Sequence, residues 1–279
     1  TNNLPLHSNK GFHNFPRGSE EIDIWFPVLH GPNGEDGTIQ GLFTLTKKPF
    51  VGSGVLGSSV GMDKIAMKAA FHSAGIPQVK YCIANSIELL QKESQTLLIE
   101  RIEQSFNYPC FVKPANLGSS VGISKARNRS ELIQGLHLAA ELDARLVIEE
   151  GVEAREMECA VLGKKELKAS VVGEITYKSD WYDYETKYLD NESKQLIPAP
   201  ITSNLSEKIR HLTLASCKSI AVEGLARVDF FYVENQEKVF INEINTLPGF
   251  TSQSMYPMLW KASGFNLEDL VAELVKSAK

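Results

Sequence analysis

Arg227-Val228-Asp229 and Asn242-Glu243-Ile244-Asn245-Thr246-Leu247-Pro248-Gly249 carry the most chemistry per residue in the chain. Ala226 to Val233, the polar turn Glu234 to Glu237, and Val239 to Asn245 read together as a hairpin. Strand side chains alternate, so Glu243 and Asn245 share one face and Asp229 on the partner strand reaches the same space. Two carboxylates and an amide are hard oxygen donors, the set Mg²⁺ prefers while it keeps coordination positions for phosphates. Arg227 shares the face of Asp229 and offers a fork for a carboxylate or phosphoryl group. The small residues of Thr246 to Ser252 then suit a turn that brings backbone N–H groups to a developing oxyanion. A solvated sheet face followed by a structural turn is the bland alternative.

Upstream, Met157, Cys159 and Val161 alternate before Gly163, and Lys168 to Gly173 is expected to return antiparallel. The stretch Asp183-Tyr184-Glu185-Thr186-Lys187-Tyr188 is dense in aromatics and charges, a composition suited to a loop that orders over ligand, with Lys187 reaching phosphate. A strand ending in Phe111-Val112-Lys113 runs into Leu117-Gly118-Ser119-Ser120-Val121-Gly122, whose small residues let backbone N–H groups close around a phosphate. A flexible glycine-serine turn explains the hexapeptide equally well on its own. A helix through Leu132, Leu136 and Ala139, capped by Asn128 or Ser130, and a strand from Leu146 to Glu149 complete this module.

Toward the amino terminus, Ile22 to Leu29 reads as a buried strand emptying into His30-Gly31, where α/β folds often contact ligands. A short helix over Gly37 to Leu45, a short strand at Pro49-Phe50-Val51 and a helix from Met62 to the stop at Gly75 and Pro77 are expected. Gly52-Ser53-Gly54-Val55-Leu56-Gly57 fits a dinucleotide pattern, but His72 to Gln78 lacks the acidic residue such a site needs about 20 positions on, so it is discounted. Helices are further expected from about Ser206 and about Asn266.

The 279 residues carry a formal charge of −5, which argues against a nucleic-acid partner. No apolar run approaches the ~20 residues of a membrane helix, and the chain reads as cytoplasmic. Cys82, Cys110, Cys159 and Cys217 show no metal spacing and read as buried small hydrophobes.

Taken together, His30-Gly31 with Gly34-Glu35-Asp36-Gly37, Met62-Asp63-Lys64, Lys113-Pro114 with Gly118 to Gly122, and Asn242 to Gly249 resemble the D-alanine–D-alanine ligase family in its own order. The resemblance implies an α/β and α+β chain of ATP-grasp fold, with two α+β modules sandwiching ATP. It divides the chain into residues 1–61, a partial amino-terminal α/β lobe, 62–149, a central module, and 150–279, a carboxy-terminal module. It further implies ATP-dependent joining of two D-alanines through an acyl phosphate, for peptidoglycan precursors, by a homodimer using two Mg²⁺ or Mn²⁺ ions. By the same resemblance Lys64 and Lys113 contact phosphates and the adenine side, Ser120, Val121 and Gly122 cradle phosphate, Glu149, Glu150 and Val152 surround adenine, and Glu156 binds ribose. Asp229, Glu243 and Asn245 match metal ligands, and Lys187 matches the lid lysine on the transferred phosphate. Ser119 and Tyr188 match a hydrogen-bonded pair closing the lid, and Arg227 with Gly249 matches the group polarising the reacting carbonyl. His30 falls to the first substrate, and Ser254 and Met255 hold the second substrate's carboxylate. Tyr188 resembles the dipeptide-forming members, which implies an amine nucleophile. Family members open with a glycine-rich strand-loop-helix and a substrate-binding glutamate; neither is found before Ile22, so a truncated first lobe with slow or absent turnover is expected.

Overall fold

Ile22 to Leu29 is extended in the computed structural model, which describes residues 17–118, 120–176 and 194–279, but it is not the expected strand. A single parallel bridge joins Trp25 to Phe50. Among the described residues no further strand flanks this segment, and Val28 and Leu29 are 68% and 48% exposed. Without a second partner the ladder cannot extend, and Pro49-Phe50-Val51 likewise remains a bridge rather than a strand.

Helix α1 (Thr38–Thr46) starts at Gly37, whose φ of 96° favours glycine. Helix α2 (Val55–Met62) grows out of the dinucleotide-like glycine stretch. Its Gly57 serves packing, because a Cβ there would lie 2.5 Å from Ala221 O. Helix α3 (Lys64–Ser73) is capped by the Asp63 carboxylate, which accepts from Ala66 N at 2.8 Å. Met67 and Phe71 of α3 enter the carboxy-terminal core, whereas Lys64 and Lys68, one turn apart, are buried toward a four-stranded sheet.

That sheet contains β1 (Tyr81–Asn85), β2 (Cys110–Pro114), β3 (Ser124–Ala126) and β4 (Arg145–Glu150) in the order β1-β4-β2-β3, with antiparallel pairing throughout. Ala84, Cys110, Val112, Leu146 and Ile148 pack against Leu98, Ile99 and Ile102 of α4 (Lys92–Ser105) and Leu132, Leu136 and Ala139 of α5 (Arg129–Leu142). Asn128 caps α5 by accepting from Glu131 N at 3.0 Å. Register sets Tyr81, Glu149 and Phe111 side by side on the other face, with Lys113 two residues along it. The buried apolar face thereby fixes which way these polar groups point.

The second sheet contains β5 (Arg155–Gly163), β6 (Lys168–Thr176), β7 (Lys194–Leu196), β8 (Gly224–Val233) and β9 (Lys238–Asn245) in the order β7-β6-β5-β8-β9. Met157, Cys159, Val161, Val228, Phe230 and Ile241 pack against Ile209 and Cys217 of α6 (Ser203–Ser219) and against α3. Each large apolar side chain buried this way contributes ~1.5–3 kcal/mol. Ala160, Leu162 and Leu225 on the opposite face meet Val51, Leu247 and the helices α7 (Met255–Ala262) and α8 (Leu267–Ala278). Ile241 N donates to Pro77 O at 2.9 Å, tying the segment before the first sheet to the second. All four cysteines are free thiols, three of them buried. Among the described residues no helix is long and apolar enough to cross a membrane.

Candidate active site

Lys113 is 8% exposed near the end of β2, and its ammonium lies 2.6 Å from Glu149 Oε2. The other oxygen of Glu149 is 2.7 Å from Lys68 Nζ, so one carboxylate joins two buried ammoniums. Burial alone would raise the Glu149 pKa, but the charges of Lys113 and Lys68 more than offset it and hold the carboxyl at about 2. Burial would lower Lys113, yet Glu149 keeps it above the ordinary lysine value. Lys64 follows burial instead and is lowered; its Nζ donates to Leu117 O at the entrance of the Gly118-to-Gly122 turn. In that turn Ser120 and Gly122 have φ of 59° and 73°, and a Cβ on Gly122 would strike Leu142 at 2.4 Å. Val121, between them, is 41% exposed.

Opposite this cationic floor, β5, β8 and β9 line up Glu158, Asp229 and Glu243 in direct register. Like charges so opposed destabilise a sheet unless cations join them, and Arg227 supplies one. Its Nε and Nη2 each donate to Asp229 at 2.7 Å, and Nε also lies 2.9 Å from Glu158 Oε2. Burial would lower the Arg227 pKa, but Asp229 and Glu158 hold it well above its ordinary value. Asn245 donates from Nδ2 to Asp229 Oδ2 at 3.1 Å, closing the group. The charges of Glu243 and Glu156 are felt at Lys113, and that of Glu243 at Lys64, so the acidic ribbon and the cationic floor face one another.

His30 lies at the rim, with Nδ1 2.9 Å from Glu35 Oε2 and 3.2 Å from Leu247 O. The Glu35 carboxylate beside it raises its pKa against the opposing effect of burial. Gly249 follows in the same turn, where a Cβ would lie 2.9 Å from Ser254 Oγ. Ser254 is the N-cap of α7, while the Met255 side chain is packed in the core beside Tyr256 and Leu259. Glu150 closes β4, its N donating to Lys80 O at 2.9 Å, and Val152 lies in the connection to β5, which carries Glu156. Ser119, Lys187 and Tyr188 lie outside the described residues.

Among the described residues no three His, Cys, Asp or Glu side chains are gathered as a ready cation site. The chemistry of the ribbon nevertheless fits a hard divalent cation, since Asp229, Glu243 and Asn245 bring two carboxylates and an amide onto one face. Arg227 lies across Asp229, so such a cation would share that carboxylate with the guanidinium. Two buried participants, Lys68 and Glu158, are absent from the sequence-based expectations, and Glu35 is quoted there beside His30 without a role. The signals were present, as Lys68 is one turn beyond Lys64, and Glu158 alternates with Glu156 on a strand.

Two antiparallel sheets that face each other through a cationic floor and an acidic ribbon define an ATP-grasp ligase. Solved structures of similar fold include the VanG D-Ala:D-Ser ligase from Enterococcus faecalis, with a TM-score of 0.83, 36% identity, and coverage of 92% of this chain and 73% of that one. The D-alanine-D-alanine ligase from Coxiella burnetii matches with a TM-score of 0.78 at 35% identity, over 92% and 68% of the two chains. The family models for the D-ala D-ala ligase C-terminus and N-terminus match residues 70–276 and 4–53. A D-alanine--D-alanine ligase of Prochlorococcus marinus is 62% identical over 268 residues, 96% of this chain and 76% of the relative. One of a Synechococcus strain is 62% identical over 269 residues, with coverage of 96% and 76%. The chain belongs to the D-alanine–D-alanine ligase family.

Proposed function

We infer that this chain joins two molecules of D-alanine into a dipeptide at the expense of ATP, for peptidoglycan precursors, with an acyl phosphate between the two steps. The observation that carries this reading is the juxtaposition of the Lys113–Glu149–Lys68 cluster with Arg227, Asp229, Glu243 and Asn245, joined to relatives 62% identical that bear the ligase name. A carboxylate is a poor electrophile at neutral pH, so activation precedes amide formation. The first D-alanine carboxylate attacks the γ-phosphorus, an O–P bond forms, and ADP departs. The second D-alanine's amine then attacks the acyl carbon, and inorganic phosphate leaves with the C–O electrons.

Lys113 and Lys64, with the amides of Ser120, Val121 and Gly122, hold the nucleotide phosphates in this scheme, and Glu149, Glu150, Val152 and Glu156 hold its base and ribose. Asp229, Glu243 and Asn245 would hold Mg²⁺ or Mn²⁺, which would supply positive charge to offset that of the phosphates. Arg227 and the Gly249 N–H receive the charge that builds on the acyl oxygen. His30 faces the first D-alanine, and Ser254 with the Met255 N–H takes the carboxylate of the second, at a helix N-terminus suited to anions. The roles of Lys187, Ser119 and Tyr188 in closing over the substrates rest on the family resemblance, as do the homodimer and a cytoplasmic location.

Phosphate release with ATP, Mg²⁺ and D-alanine tests the reading, with D-serine and D-lactate offered separately as second substrates. Release matched one to one by D-alanyl-D-alanine is expected, with less product from D-serine or D-lactate. ATP binding without D-alanine-dependent release would overturn it.

A further inference from the structure

We propose that Lys68 is a positioning residue of the nucleotide site, holding one oxygen of the Glu149 carboxylate so that Lys113 keeps donors free for the bound nucleotide. The inference rests on the reading of Lys113 and Glu149 as nucleotide contacts given above.

Lys68 is 1% exposed, an address a lysine rarely occupies unless its charge is paired. Its setting is determined from several sides. Met67 and Phe71 are fixed in the carboxy-terminal core, and α3 is anchored at its start by the Asp63 cap and by Lys64 N donating to Ala115 O at 2.8 Å. The helix is therefore not free to rotate, and its 64/68 face stays toward β4. The Lys68 ammonium also lies 5.0 Å above the centre of the Tyr81 ring, and Tyr81 pairs with Glu149 across β1 and β4. The two carboxylate oxygens are thus divided, Oε1 to Lys68 at 2.7 Å and Oε2 to Lys113 at 2.6 Å.

Charge bookkeeping gives this division its meaning. A Lys113–Glu149 pair alone is neutral, and its lysine would have little attraction left for a nucleotide. With Lys68 taking Oε1, Lys113 meets a carboxylate already partly neutralised and retains donors to offer. Lys68 itself touches no exposed surface, so it acts through Glu149 rather than on the ligand.

The test compares wild type, Lys68→Met, Glu149→Gln and the double variant by ATP binding calorimetry and by initial rates. ATP binding by wild type is measured first, and its failure would overturn the nucleotide reading and this inference together. Given that binding, Lys68→Met should weaken ATP binding and raise KM for ATP about tenfold, the size of one partly screened charge contact. KM for D-alanine and kcat should remain within about twofold. In the Glu149→Gln background Lys68→Met should add nothing, since its route of action has been removed. Unchanged ATP affinity in Lys68→Met, or the same loss with and without Glu149, contradicts the inference. If Lys68→Met does not fold, Lys68→Gln, which removes the charge while keeping a donor for Glu149, takes its place, and unchanged ATP affinity in that variant is the contradicting result.

Discussion

Arg227 contacts both Asp229 and Glu158, and Glu243 stands next in register. Removing its guanidinium leaves these carboxylates facing one another, and breaking a buried pair in this way costs about 3–5 kcal/mol. Arg227→Ala is therefore expected to unfold at clearly lower urea concentration, whereas Arg227→Lys should retain most stability but lose activity, because a point charge cannot replace the fork. Equal stabilities for wild type and Arg227→Ala would contradict this placement of charge. Glu149 gives a pH signature. Its folded pKa of about 2 lies below the ordinary carboxylate value of 4.5, so the stability it confers is full above that value and is lost as pH falls toward about 2. The stability gap between wild type and Glu149→Gln should accordingly narrow between pH 4.5 and 2; a gap constant over that interval would sink the idea.

At the scale of elements, α2 tests packing against propensity. Gly57→Ala improves intrinsic helix propensity by about 1 kcal/mol, yet the new Cβ would lie 2.5 Å from Ala221 O and 3.2 Å from Ile220 O. Both neighbours are backbone and cannot turn aside, and overpacking typically costs about 1–3 kcal/mol. A net loss is expected by thermal unfolding; a higher midpoint would show that the helix shifts at little cost. What was legible in the sequence divides along the same line. The β8–β9 and β5–β6 hairpins and the capped helices α5 and α8 follow from alternation and from Asn128 and Asn266, signals local to the chain. Helix α2, made of small residues, carries no strong periodic pattern, and α4 is not among the elements expected although Leu98, Ile99 and Ile102 keep helical spacing. Ile22 to Leu29 has the composition of a buried strand, but composition cannot reveal whether a flanking strand exists to complete it. The acidic ribbon was readable because alternation fixes which side chains share a face. The spacing of Lys68 and Glu158 was visible too, but their roles and that of Glu35 depend on which buried partner meets them across the fold.

For the whole molecule, the two sheets acquire meaning only together: the first contributes cations, the second carboxylates, and α3 belongs to both through its lysines and its Met67-Phe71 face. We infer that this enclosure activates a carboxylate by phosphorylation before the amine attacks. Oxygen-18 in the carboxylate of D-alanine measures that directly. The released phosphate is predicted to carry one labelled oxygen for each dipeptide formed, because the C–O bond of the acyl phosphate breaks on the carbon side. Dipeptide formation with unlabelled phosphate would contradict the account.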